Sequence, residues 1–312
     1  MNRLGVGPLL AVIYLSFGSS FLAIEVMVRQ LPPLTAAASR FLAAGIILTV
    51  WVGLRRGWRT VLPTRRELPL LLLLGALLFL IGNGGVVLAQ HHGVSSWLAS
   101  LIIATVPVWV AILRMAWGPR PGALTIIGTV IGLAGATIVL LPSSGEGTSR
   151  LVLALPALAG AIGWAVGTFI ASRRGAGDNP IVASAQQLLS GGLLLLIAAA
   201  LTEHGRWSTI SLTWSAVAAW AWLAITASVL SMVAFYRIVA LSSVSTASTY
   251  AFVNPIVAVL LSGILLGSWP DPLAAVATPV VVAGVALVVL GDRRRRAQRP
   301  TDPEPAPVSI EP

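Results

Sequence analysis

LTAAASRFLAAGIILTVWVGLRRGWRTVLPTRR, residues 34–66, is the stretch whose reading decides the fold. Residues 34–54 hold a single charge, Arg40, whereas residues 55–66 hold Arg55, Arg56, Arg59, Arg65 and Arg66. A helix rises about 1.5 Å per residue, so roughly 20 apolar residues cross the ~30 Å hydrocarbon core of a bilayer. Arginines that follow such a run mark the compartment in which the crossing ends. The stretch therefore reads as one membrane crossing followed by a basic loop.

The same alternation continues along the chain. Apolar runs predict spans over 8–28, 34–54, 68–90, 94–115, 121–141, 151–171, 180–201, 213–236, 244–267 and 272–291. All ten are predicted to be helical, because an open sheet edge would leave peptide groups unpaired in lipid. Hydrophobic residues make up 57% of the chain and charged residues 10%, with a mean hydropathy of +0.91. Such a surface needs membrane lipid to cover it. Lysine is absent, so arginine alone reports topology. One side receives Arg3, Arg55, Arg56, Arg59, Arg65, Arg66, Arg114, Arg120, Arg173, Arg174, Arg237, Arg293, Arg294, Arg295, Arg296 and Arg299; the other receives only Arg29, Arg150 and Arg206. This imbalance predicts a multi-pass protein of the cell membrane with both termini cytoplasmic. The net charge of +10 is then mostly topology. Nucleic acid is a poor partner for arginines dispersed over short loops with no aromatic interleaving.

The first apolar run continues at full length to Val28, past Ser16, Gly18 and Ser20, so a cleaved signal is not expected. Zero cysteines exclude disulfides and thiolate chemistry. From Asp292 onward four arginines lead into a Pro-rich acidic stretch, which predicts a disordered cytoplasmic tail over 292–312 whose basic start lies near anionic lipid.

Shifting the chain by 147 residues aligns Phe17 with Trp164, Pro33 with Pro180, Arg40 with Gln187 and Gly45 with Gly192. With a drift of one to three residues, Val94-Ser95-Ser96 meets Val244-Ser245-Thr246, Pro107 meets Pro255 and Gly118 meets Gly267. Two homologous units, 8–141 and 151–291, are the economical reading. Five crossings is an odd number, so the second unit enters from the opposite side and the repeats are inverted. Many transporters share that arrangement, with the site near the midplane between repeats.

Three segments carry a family resemblance: SFGSSFLAIEVMVRQLPPLTAAASRFLAAGIIL (16–48), GVSSWLASLIIATVPVWVAIL (93–113) and ALSSVSTASTYAFVNPIVAVLLSGILLG (240–267). They resemble EamA-type proteins of the drug/metabolite transporter superfamily. The resemblance covers about residues 8–291 and rests on ordered small residues, prolines and an arginine rather than on a catalytic signature. It implies a ten-helix, two-repeat carrier that moves small polar or amphipathic metabolites, often outward, and implies no particular substrate. Two departures stand out. Pro119 and Ser268 occupy places where the family often has an acid, and Glu25 replaces a residue that is basic in many members.

Glu25 is the only carboxylate that these spans place inside a helix. An ionisable group there costs a few kcal/mol, about 2.5 to 3.5 at mid-helix for Asp or Arg, so it faces a partner or an aqueous cavity. Arg40, at similar depth in the second span, is the expected partner. The pair reads either as a lock between two helices, with Glu25 reaching interfacial water as a variant, or as a binding site in which Glu25 takes a proton or a cationic group and Arg40 a carboxylate.

Asn83 within GNGG, Gln90, Trp164, Gln187, Tyr236, Tyr250 and Asn254 complete the candidate pathway, with local unwinding expected at GNGG. Phe17, the repeat mate of Trp164, neighbours Gly18-Ser19-Ser20, where a ligand could reach backbone. Pro107 and Pro255 each free a carbonyl four residues earlier and read as hinges or as static kinks. His91 and His92 are adjacent and share no helix face, so they read as loop residues, and no metal or cofactor is expected. Glycines 128, 132 and 135, with Gly263 and Gly267, offer seams for close helix contact, within one chain or between two. A monomer is the default, with a dimer the alternative.

The sequence shows no HExxH, no GxSxG, no paired intramembrane acids and no phosphate-binding loop with lysine, so neither catalysis nor direct ATP drive is expected. A channel would favour a continuous polar stripe along one helix, which none of the ten has. Secondary transport or facilitated diffusion remains, with a small-molecule metabolite and a proton as the candidate partners.

Overall fold

The structure, a computed structural model, describes residues 5–117, 121–141, 149–174, 179–210, 212–241 and 250–297. Its long helices are α1 (Val6–Val28), α2 (Pro33–Arg56), α3 (Leu68–His91), α4 (Ser96–Trp117), α5 (Ala123–Leu140), α6 (Ser149–Arg174), α7 (Pro180–Thr202), α8 (consecutive segments Trp214–Trp222, Leu223–Leu230 and Ser231–Leu241), α9 (Tyr250–Leu266) and α10 (Pro272–Ala297). Among the described residues nine helices are long and apolar enough to cross a membrane, and α9 adds a shorter apolar run. There is no strand among them. Six tryptophans near helix ends, Trp51, Trp58, Trp117, Trp207, Trp214 and Trp269, are exposed, as an interfacial belt requires.

The helices begin where local chemistry favours it. Pro33 and Pro180 stand in the first turn, where a missing N–H costs nothing. Asn179 accepts from the Ile181 and Val182 amides, and Asp271 Oδ1 from Ala274 N at 2.8 Å. Ahead of α3, the Glu67 carboxylate accepts from the Thr64 amide and hydroxyl and closes the turn that leads into the helix, and these bonds hold its pKa below the usual carboxylate range. Gly267 closes α9 with φ +66°, a left-handed conformation that suits glycine.

The face at which α1 begins is termed here proximal; the described helices alternate in direction from there, so the turns after α1, α3 and α7 lie on the opposite, distal face. The 147-residue shift has a direct structural counterpart. A methyl group at Gly45 would meet Leu189 Cδ2 at 2.8 Å, and one at Gly192 would meet Leu42 Cγ at 2.9 Å. Leu42 and Leu189 are repeat mates, as are Gly45 and Gly192, so one contact is made twice with the partners exchanged. The pair α5 and α10 repeats the pattern: Gly135 faces Val281 and Gly284 faces Gly132. In both pairs rising numbers on one helix meet falling numbers on the other, so equivalent helices cross antiparallel. That geometry is the one two inverted repeats produce. The glycine seam of α5 therefore packs within the chain, against α10.

Two differences from the sequence expectations concern helix shape. GNGG does not unwind; residues Gly75–Asn83 of α3 form a π-helical segment instead. Its mate under the shift is the π-helical segment Leu223–Leu230 of α8. In each, side chains bond carbonyls five residues back: Asn83 Nδ2 to Leu78 O at 3.2 Å, Ser228 Oγ to Leu223 O at 3.0 Å. The prolines also differ. Helix α4 is interrupted at Thr105, just before Pro107, whereas α9 is continuous through Pro255. The Thr105 hydroxyl bonds Ile102 O at 2.6 Å and accepts from Trp109 Nε1 at 3.0 Å, which pins the break.

The tail boundary also shifts. Helix α10 runs through Asp292 to Ala297, and Asp292 pairs with Arg114 of α4, which extends the helix past the membrane segment. The remainder of the tail, Pro119 and Arg120, and Val244-Ser245-Thr246 lie outside the described residues.

Candidate functional site

Glu25 is buried near the distal end of α1, but Arg40 is not its partner. Its Oε1 accepts from Arg29 Nη2 at 2.5 Å, one helical turn on, and its Oε2 accepts from Ser96 N at 2.7 Å. Ser96 opens α4, so the carboxylate caps that helix where amides lack intrahelical acceptors. Arg29 is reachable from an exposed turn and needs no deep burial. Arg40 sits about 10 Å below the distal start of α2, too far along its own helix to compete.

Glu203, which the predicted spans leave outside every helix, does the same for α2. It is 4% exposed, and its carboxylate accepts from Leu34 N at 2.9 Å, Thr35 N at 2.8 Å and Thr35 Oγ1 at 2.7 Å. Trp207 Nε1 donates to the same Thr35 hydroxyl at 3.0 Å. These bonds tie the end of α7 to the start of α2, across the two repeats. Around them Trp220 donates to Ser39, Trp222 to Ser19 and Gln30 to Ser215. The distal face is thus knitted from both repeats. A lateral pocket of about 260 Å³ lies in this region, lined by Leu31, Pro32, Thr35, Ala36, Ser39, Ile210, Leu212, Val217 and Trp220.

Deeper in, Arg40 is 3% exposed. Its Nη2 donates to Asn83 Oδ1 at 3.2 Å, and its guanidinium carbon stands 4.0 Å from the centroid of the Phe41 ring. Its Nε is buried with no acceptor. Among the described residues no carboxylate pairs with it. From Phe41 an aromatic row leads inward: Phe41 to Phe79 at 4.9 Å, then Phe79 to Trp164 at 6.3 Å. Asn83 and Phe79 belong to the π-helical segment, so that segment aims one polar and one aromatic side chain at α2. Two glycines of GNGG serve a different purpose, letting α6 approach: a methyl at Gly85 would clash with Pro156 O, and Gly160 faces Gly82 O.

The other predicted residues divide. Gln90 Nε2 donates to Phe21 O at 2.9 Å, joining α3 to α1, while its Oε1 is buried without a donor. Gln187 is half-buried on α7. Tyr250 packs edge-on to Phe17 at 5.0 Å and near Phe235, in a second cluster between α1, α8 and α9. Asn254 Oδ1 is buried and unpartnered. The side chain of Tyr236 lies outside the described residues. The structure thus brings Arg40, Asn83 and Trp164 into one region but keeps Glu25, Tyr250 and Gln90 apart from it. Gly18 is not open to a ligand, since Val257 of α9 fills the space at 2.5 Å from where its methyl would be. His91 bonds Val28 O and Arg206, and no cluster of metal-ligand type occurs among the described residues.

Among the described residues, nine long apolar helices and the shorter α9 interlock around a buried cation and an aromatic row, the architecture of a polytopic membrane bundle. Comparison with known proteins agrees. The model of the EamA-like transporter family matches residues 6–141 and 152–290. The chain is 36% identical over 284 residues to the uncharacterized inner membrane transporter YedA of Escherichia coli, covering 90% of each protein. It is 26% identical over 304 residues to a probable terminal-alkyne amino-acid exporter of Streptantibioticus cattleyicolor, covering 93% of this chain and 96% of that one. A solved crystal structure matches with a TM-score of 0.63 at 22% identity, over 93% of this chain and 98% of that one, a likeness of fold alone. The chain belongs to the EamA-like transporter family of the drug/metabolite transporter superfamily.

Proposed function

We propose that this protein is a secondary carrier that moves a small polar or amphipathic metabolite across the bacterial inner membrane, outward, by alternating access between its two inverted repeats. The observation that carries the proposal is the exchange of one contact between repeat mates, Leu42 into Gly192 and Leu189 into Gly45, which gives two interlocked halves able to swap roles at the two faces. The units 8–141 and 151–291 supply the two halves of the pathway, and one chain holds both, so a monomer suffices. Arg40, Asn83, Trp164 and Gln187 line the pathway, Tyr250 and Asn254 its second wall, and Pro107, next to the pinned break at Thr105, sets the kink of α4. The distribution of arginines supports cytoplasmic termini, and with them an outward-facing distal side. The relative named as an amino-acid exporter supports outward movement. The protein performs no chemistry on its cargo; a proton is the candidate coupling ion.

Reconstitution into liposomes tests this. Vesicles preloaded with a candidate metabolite should draw in tracer of the same metabolite by counterflow, with saturation, and inversion of a pH gradient should change the steady level if protons are coupled. Steady leakage without saturation would indicate a channel, and a converted product an enzyme; either outcome rejects the carrier.

A further inference from the structure

The guanidinium of Arg40 is a buried positive charge with no carboxylate beside it among the described residues. A cation in a membrane bundle is costly unless it is paired or wet. Arg29 has Glu25 and Arg114 has Asp292, but the partners of Arg40 are a neutral amide oxygen and a ring face. Asn83 is itself fixed by the Leu78 carbonyl, so it supplies position rather than charge. Both buried carboxylates in the described membrane region are already taken by helix starts, Glu25 at α4 and Glu203 at α2.

We propose that Arg40 with Asn83 is the docking point for the carboxylate of a monoanionic substrate whose apolar body lies along Phe79 and Trp164. The proposal rests on the carrier reading and names the substrate class of that site. One guanidinium neutralises one negative charge, and the Nε–H left without an acceptor is part of the planar fork that grips a carboxylate. A phosphate dianion would require a second cation, and the described residues offer none beside Arg40. Beyond Phe41 the aromatic row passes through buried Phe79 to half-buried Trp164, whose ring offers an apolar body a complementary wall. A substrate ammonium finds no uncommitted carboxylate among these residues, so the negative group is what the site reads.

The test is equilibrium binding to the full-length protein in detergent, which needs no turnover and so stands apart from the counterflow result. The probes are 3-phenylpropionate, its amide, 3-phenylpropylamine and L-phenylalanine. The acid should bind saturably, roughly tenfold or more tighter than the amide, whose charge is gone, and the amine should not bind. Arg40→Met should abolish that preference, while Arg40→Lys should keep a weakened form, having charge without the fork. Should Arg40→Met fail to fold, Asn83→Leu provides a second reading, a several-fold loss confined to the acid. L-phenylalanine binding as tightly as the acid would accord with carboxylate docking; L-phenylalanine alone binding would not. Equal affinity for acid and amide, an unaltered acid affinity in a folded Arg40→Met, or binding of none of the probes would each overturn the proposal.

Discussion

Replacing Gly85 by alanine is expected to abolish most of the folded protein, whereas the same change at its neighbour Gly84 is expected to be nearly silent. The methyl of Gly85→Ala would sit 2.1 Å from Pro156 O and 3.3 Å from Gly160 Cα, and all of these are backbone atoms that move only if α3 and α6 part. Overpacking of this kind costs about 1–3 kcal/mol where side chains can adjust, and more where backbone must shift. The Gly84 methyl would instead meet Leu195 Cδ2 at 3.4 Å, the end of a flexible side chain. There the helix-propensity gain of about 1 kcal/mol offsets any crowding. Apparent melting temperature and the monodisperse fraction after detergent extraction distinguish the two; similar values for both variants would contradict the α3–α6 seam.

Glu203→Ala carries the second large effect. Removing the carboxylate deprives the Leu34 amide, the Thr35 amide and the Thr35 hydroxyl of their acceptor at once. Each buried donor left unpaired costs about 1–3 kcal/mol, less where water reaches it, so a loss of at least about 2 kcal/mol is expected. Glu203→Gln retains one acceptor oxygen and should lose roughly half as much. Unfolding in denaturing detergent measures both, and equal stability of Glu203→Ala and the unaltered protein would remove the cap from the account.

Most of the architecture was legible because the residues that mark it are the ones backbone geometry demands. Gly45, Gly192 and the first-turn prolines Pro33 and Pro180 recur where close approach or helix entry requires them, so the repeat survived as a pattern of glycine and proline when other side chains had diverged. The partner of Glu25 was misread for a local reason. Arg29 stands four residues on, the spacing at which a helix pairs charges, and that spacing was the signal available. Glu203 offered no such signal, since its three donors lie near residue 34, on another helix of the other repeat. The π-helical segments were equally hidden: widening by one residue per turn leaves the apolar pattern of α3 and α8 almost unchanged. Arg40 stood out as a charge in an apolar run, but its lack of a counter-charge is visible only once its neighbours are placed.

The double fastening of α2 to α7 limits which pieces can travel separately. Glu203 bolts the start of one to the end of the other, and the exchanged leucines clasp them midway, so the two must ride as a single girder while the remaining rods swing about it. Since the native chain holds no cysteine, paired thiols can be introduced without background. A covalent staple between positions 42 and 192 should leave counterflow intact, whereas one joining positions 39 and 220, where the distal lacing must come undone, should arrest it.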